Sequence, residues 1–267
     1  MSVSGRLERG ELDKRLQALL LRGDAELVET LFSHLGSGQS AFVMRPDEFV
    51  YGFLQADKQL TIQVYVTVAL KWLIPRLHDF ERRFPDMKVR LSTAYFDWDF
   101  DEANVDAGFI LARNKQPGHH YRALFRSLLT PVCSPGLLND GNAIRAPEDL
   151  KKHKLLYVYT AEEDWRLWLE AAGVKGIELS DRLAFDSYVL AQEAAIEGRG
   201  LAMTIGPFAI DEIKAGRLVQ PFPLMVPHRH QWQFACKAED KLKPKIRRFE
   251  DWLVKQVAAD PALHVYR

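Results

Sequence analysis

The hydrophobic pattern of the chain changes period once, near residue 58. Ahead of that point, ELDKRLQALLL and DAELVETLFSHL set apolar residues at helical spacing until Gly36-Ser37-Gly38 interrupts them, which predicts two short amphipathic helices. A third is predicted through EFVYGFLQ, after Pro46 and Asp47, because proline is tolerated in the first turn of a helix. From Leu60 strands alternate with helices. LTIQVYV predicts a strand, ALKWLIPRLHDFERRF an amphipathic helix closed by Pro85, and MKVRLST and VDAGFIL two further strands. Pro75 falls inside the helical pattern and is expected to start or kink the helix there.

A second run repeats the alternation. YRALFRSLLTPVCSP predicts a long strand ending in a turn at Ser134-Pro135-Gly136, followed by a short helix PEDLKKH. LLYVYT (strand), DWRLWLEAAG (helix stopped by Gly173), IELSDRLAFD (strand), SYVLAQEAAIEG (helix stopped by Gly198) and GLAMTIG (strand) come next. RLVQPFP and HQWQFACK are predicted as strands and KPKIRRFEDWLVKQVA as a closing helix, with no internal repeat at a fixed period. Two runs of this kind predict an α/β fold with two domains, each built on a mostly parallel sheet.

Charge and chemistry narrow the function classes. The 36 basic and 36 acidic side chains cancel, so the whole chain has no nucleic-acid-coating surface, although a local basic module could hide in the total. Cys133 and Cys236 are the only cysteines and have no CxxC spacing, which points to free thiols in a reduced, cytoplasmic setting. No apolar run suggests an export signal or a membrane span. GxSxG, the P-loop and GxGxxG are all missing, so the common nucleotide enzymes and α/β hydrolases are disfavoured. Gly198 and Gly200 serve as a helix cap and the start of a strand. His228 and His230 alternate on a predicted strand, and Asp97 to Glu102 bring carboxylates together. Neither set has enough ligands or a nucleophile beside it, so no metal, cofactor or catalytic residue is expected. Trp165 and Trp168, three apart on a helix, read as a core pair.

Ligands of open α/β sheets bind beyond the carboxyl ends of strands, where helix N-termini converge. Thr67, Ser92, Thr93, Cys133, Ser134, Asp186 and Ser187 stand at such corners, and each could be a plain helix cap or could face a cleft.

The run YVTVALKWLIPRLHDFERRFPDMKVRLST resembles the start of the effector-binding domain of LysR-type transcriptional regulators, in the branch of the glycine-cleavage activator and the β-lactamase regulators. VDAGFILAR, LLTPVCSPGLL, APEDLKKHKLLYV, DWRLWL, LAFDSYVLAQEAAIEGRGLAM, AGRLVQPFP and FEDWLVKQ continue the likeness in order over about residues 60–255. The resemblance implies two Rossmann-like subdomains as in periplasmic binding proteins, preceded by a short helical N-terminal segment over residues 1–58. Subdomain I would take residues 59–130 and 233–267, and subdomain II residues 131–232, with crossover strands between them. It further implies a small-molecule effector in the cleft, held at Thr67, Val68, Thr93, Ala94, Pro131, Val132, Cys133, Ser134, Ser187 and Trp232. A homodimer or higher oligomer is implied as well, formed through the helices that carry Leu73, Leu77, Phe80, Gln192 and Ala195.

Residues 1–58 do not carry the winged helix-turn-helix text with which such regulators begin. They hold seven Lys/Arg against nine Asp/Glu, the wrong sign for neutralising phosphates. Promoter DNA is therefore a possible partner without a recognisable reader in this sequence, and the alternative is a ligand-binding module without direct DNA binding, acting as a stand-alone sensor or by mixed dimerisation.

Overall fold

Strands in chain order are Gln59–Val64 (β1), Lys88–Thr93 (β2), Ala107–Leu111 (β3), His119–Val132 (β4), Leu155–Val158 (β5), Ala184–Phe185 (β6), Leu201–Ile205 (β7) and Val226–Lys237 (β8). They belong to a computed structural model that describes residues 58–93, 105–111, 115–139, 144–177 and 183–267. The three predicted N-terminal helices, Ala94 and the Asp97 to Glu102 stretch lie outside the described residues. β3 and β7 are buried at every position, as strands covered on both faces must be, and this explains why their sequences are continuously apolar.

The strand order is β2-β1-β3-β8-β4-β7-β5-β6. β1 runs parallel to β2 and β3, and β5 parallel to β6 and β7. Between these two parallel groups lie the long strands β4 and β8. They are antiparallel to each other from His119↔Lys237 to Leu129↔Val226, and their register shifts between Ala123 and Phe125 and again between Arg126 and Leu128. β8 pairs with β3 and β4 pairs with β7, so a two-stranded ribbon joins the groups. Breaks in register let the ribbon bend between its halves.

Helix α1 is continuous through Val66–Val68, a π turn at Ala69–Leu73, and Ile74–Arg83. It begins ahead of the predicted Ala69, and Pro75 stands in the first turn of its regular α-helical part, Ile74–Arg83, directly after the π turn, so the break expected at Pro75 falls inside a continuous helix. Proline has no N–H to return to the carbonyl four residues back. Here the turn before it widens, so that Ile74 N–H bonds to Ala69 C=O, while the Arg76 guanidinium donates to Trp72 C=O at 2.8 Å. Glu163–Ala171 (α2), Tyr188–Ile196 (α3), Ile210–Lys214 (α4) and Pro244–Ala259 (α5) follow, with a last 3-10 turn at Pro261–Tyr266. The predicted strand RLVQPFP reduces to one bridge, Val219 to Cys133, because Pro221 and Pro223 offer no ladder donors. Among the described residues of IELSDRLAFD the strand is β6, and PEDLKKH forms a 3-10 turn, Pro147–Lys152. Asp149 folds back there to accept from the N–H groups of Arg145 and Ala146, and these bonds hold its carboxyl at about 2, well below the usual range.

α3 ends as expected, with Gly198 at φ +70° and its N–H on Ala195 C=O. Alanines carry the contact of α3 with the sheet: Ala191, Ala195 and Ala202 are fully buried beside Val132 and Leu156. An aromatic core lies below α1, where Trp72, Phe109, Phe125, Phe208 and Trp232 meet edge to face or tilted; Trp72 to Phe109 is 5.6 Å and Phe109 to Trp232 is 5.8 Å between centroids. These rings come from α1, β3, β4, β8 and the segment after β7, so one core spans both strand groups.

Candidate functional site

A cavity opens where the N-terminus of α1 approaches the N-terminus of α3 above this aromatic floor. The cavity volume is only about 20 Å³ in this arrangement, within about 460 Å³ of unfilled space that includes the open mouth. Tyr65, Val66 and Thr67 line it from the start of α1, Thr160 and Ala161 from the turn after β5, and Asp186, Ser187 and Tyr188 from the start of α3. Leu111, Ile205, Phe208 and Trp232 close the bottom. Strand-to-helix corners from both parallel groups thus converge, as the strand alternation requires of a binding crevice.

The two helix starts touch. Thr67 Oγ1 accepts from Val189 N–H at 3.1 Å, with Thr67 only 3% exposed. One turn further along α1, Lys71 Nζ meets Glu212 Oε1 of α4 at 2.7 Å and Glu193 of α3 at 3.5 Å. Burial pushes the Glu212 carboxyl up, but Lys71 and Arg217 together outweigh it and leave the group below its ordinary range. Tyr188 Oη donates to Asp164 at 2.6 Å, and Thr160 Oγ1 to the Asp186 carbonyl at 3.3 Å. Trp232 is held by Tyr65 and Phe208, at 5.7 and 5.2 Å and nearly perpendicular to both.

Beyond Thr160 lies a shallower depression lined by Glu162, Glu163, Asp164, His228, Arg229 and His230. Two of its carboxylates have close partners: Arg229 lies 3.1 Å from Glu163 and His228 lies 3.5 Å from Asp164. His228 Nδ1 also receives the His230 N–H at 3.1 Å, so the paired histidines serve the strand and each other. Among the described residues no group of three or more His, Cys, Asp or Glu is placed to hold a metal.

Of the positions expected at the effector, Thr67, Ser187 and Trp232 meet on the cavity. Val68 is fully buried beneath α1, and Thr93 is exposed at the end of edge strand β2. Pro131 and Val132 are buried in β4 opposite Met203 and Ala202, Cys133 pairs with Val219, and Ser134 lies beside Gly198. None of these six lines the cavity. Burial pushes the Cys133 thiol up to about 11 and the Cys236 thiol up to about 12, which leaves neither a thiolate at neutral pH. The residues expected to hold the effector did not include Tyr65, Asp186, Tyr188 and Phe208, all of which line the cavity. Asp186 already stood at the corner before α3, Tyr188 adjoins Ser187, and Tyr65 lies two residues before Thr67, so a window of two residues around the corners would have found them. Phe208 follows Gly206 and Pro207, a turn signal left unused.

Side chains expected at an interface are mostly turned inward. Leu73, Phe80, Gln192 and Ala195 are 0% exposed, and Gln192 Nε2 donates to Thr204. Only Leu77 is partly exposed among the five. The outward faces of the same helices carry Leu70, Ile74 and Leu190, each about half exposed.

A match to the family described as LysR substrate binding domain covers residues 55–258. The chain belongs to the LysR family. This LysR substrate-binding domain is 31% identical over 205 residues to the glycine cleavage system transcriptional activator of Escherichia coli, an alignment covering 77% of this chain and 67% of that protein. The transcriptional activator AmpR of Rhodobacter capsulatus is 30% identical over 248 residues, 90% of this chain and 82% of the relative, and that alignment reaches into residues 1–58. Among solved structures, the effector domain of AmpR from Pseudomonas aeruginosa superimposes with a TM-score of 0.67 at 28% identity, over 74% of this chain and 95% of that one. These relatives are transcriptional regulators, and the eight-stranded LysR substrate-binding domain has the periplasmic-binding-protein-like fold of their effector domains. No helix among the described residues is long and apolar enough to cross a membrane.

Proposed function

We propose that this protein is a cytoplasmic ligand-gated transcriptional regulator, without enzymatic activity, that binds a small effector in the cavity between α1 and α3. Effector binding alters how its two subdomains close, residues 59–130 with 233–267 against residues 131–232. Closure then alters the dimer arrangement and the contacts that attached DNA-binding segments make with a promoter. The observation that carries this reading is the direct hydrogen bond from Val189 N–H to Thr67 Oγ1 at the rim of the cavity. A ligand that replaces or reinforces that bond has different affinity for open and closed arrangements, which is what switching requires. A thermal-shift screen of the full chain against a metabolite library tests it, since a ligand that binds the folded form at a hundred times its Kd adds about 2.7 kcal/mol of stability. The expected result is at least one compound whose stabilisation disappears when Ser187 and Tyr188 are replaced by bulkier residues. A library with no such compound sinks the reading.

A sensor that never touches DNA is favoured by the acidic excess of residues 1–58, seven Lys/Arg against nine Asp/Glu. The alignment with the Rhodobacter capsulatus AmpR, which enters that segment, supports the regulator instead. Gel-shift assays at low salt with genomic fragments decide between them, because even weak phosphate contacts retard DNA there.

A further inference from the structure

Two side chains that line the cavity each carry a buried polar atom with no hydrogen-bond partner among the described residues: the Trp232 indole Nε1 and the Asp186 carboxylate Oδ1. Both are shut off from solvent in this arrangement. Their neighbours are satisfied, with Thr67 bonded to Val189, Tyr188 to Asp164, and Thr160 to the Asp186 carbonyl. An unmet buried donor or acceptor costs about 1–3 kcal/mol, so two on one small cavity call for an explanation.

The indole cannot turn away to water, and the Asp186 carboxylate, on a half-buried residue, keeps its Oδ1 covered. Trp232 is 2% exposed and wedged between Tyr65, Phe109 and Phe208, whose rings all stand nearly perpendicular to it. Space beside its Nε1 is kept by Gly206, at φ +66°, where a Cβ would stand 3.5 Å from that nitrogen. Asp186 is fixed through its backbone by Thr160 and lies just before Ser187, the first residue flanking α3. The donor therefore stands on the ribbon strand β8, and the acidic acceptor stands at the start of α3.

The two groups make opposite demands on a ligand. A plain anion would satisfy Trp232 but meet the Asp186 carboxylate in a poorly screened cavity, where like charges repel far more than in water. A plain cation would satisfy Asp186 and leave the indole N–H unmet. Accepting the cavity as the effector site, we propose that the effector is a compact amphoteric molecule: a protonated amine bonds to Asp186, and a carboxylate or carbonyl oxygen accepts from Trp232 Nε1. Asp186 is then the residue that selects against simple organic acids.

Isothermal titration of the full chain with matched sets of two to five carbons tests this. Each set holds the α- and ω-amino acids, the carboxylic acids lacking the amine and the amines lacking the carboxyl. At least one amino acid is expected to bind, with its acid and amine counterparts each at least tenfold weaker. D186N is expected to lose at least tenfold for that amino acid and nothing for the matched acid. W232F is expected to lose affinity for the amino acid while leaving the matched amine unchanged. Circular dichroism of both variants checks folding, and if W232F does not fold, D186N decides alone. An acid that binds as tightly as its amino counterpart, unchanged affinity in D186N, or no binding by any amino acid in the sets overturns the proposal. If a chemically different compound from the metabolite library still binds the cavity, only this inference fails. If no compound binds at all, the effector-site reading fails with it.

Discussion

Thr67 shows what a single hydroxyl can hold in place. Its Oγ1 is the acceptor for Val189 N–H, and both residues are under 10% exposed, so removing the oxygen without removing the shape leaves a backbone donor stranded. T67V is therefore expected to destabilise the protein by about 1–3 kcal/mol in urea unfolding, and T67S to restore most of the loss. Equal stability of T67V and wild type would mean the bond carries no weight. Thr67, Ser187 and Trp232 could be read from the sequence because strand-to-helix corners are where α/β sheets bind ligands. Asp186 and Tyr188 could not be ranked above their neighbours, since nothing in the text says which carboxylates stay unpartnered or which hydroxyl is taken up by Asp164. Pro131, Val132 and Cys133 looked like site residues but are consumed by pairing within the sheet, a register decision that depends on strands 70 residues and more away in the chain.

Elements were legible where periodicity and punctuation agreed. The alternation from Leu60 onward yielded seven of the eight strands in about their places and all the helices of three turns or more, because each buries a face of its own. What failed was partner-dependent: RLVQPFP is β-rich text whose prolines leave it a single bridge, and the turn at α4 has too few residues to show a period. Pro75 was readable as a breakpoint, since the regular α-helical part begins at Ile74 directly after a π turn, but the text did not show that the helix continues upstream of it. Gly200 tests the same logic of local text against distant packing. It sits at φ +150°, and a Cβ there would overlap the Lys154 carbonyl, which itself accepts from Leu201 N–H at 2.9 Å to begin the β5–β7 pairing. Gly173, at φ +73°, has open space around it. G173A is expected to cost about 1–2 kcal/mol, the price of a left-handed residue alone. G200A is expected to cost more than that, because the β5–β7 backbone must shift as well. Thermal unfolding of the two variants compares them directly, and a G200A loss no larger than that of G173A would show that the approach to Lys154 relaxes freely.

At the scale of the whole molecule the two parallel strand groups are tied by the β4–β8 ribbon and by contacts at the tops of α1, α3 and α4, which places any signal from the cavity on those helices. α1 and α3 also carry the exposed apolar residues Leu70, Ile74 and Leu190 on their outer faces. If the proposed dimer joins α1 of one protomer to α3 of its partner, these outward residues are the ones a second copy would cover, whereas Leu73, Phe80, Gln192 and Ala195 only set the position of the helix backbones from inside. An effector that draws Thr67 and Val189 together would then shift both halves of the interface at once, which couples ligand to assembly without a separate pathway. Placing a carboxylate on each face separates the interface from the fold. L70D with L190D is expected to leave monomer stability within about 0.5 kcal/mol, as surface changes do, while converting a dimer into a monomer by light scattering. The inward pair replaced conservatively, L73M with A195S, is expected to keep the dimer while lowering the unfolding temperature. A dimer that persists in L70D with L190D would place the interface elsewhere and detach the cavity from the assembly it is proposed to control.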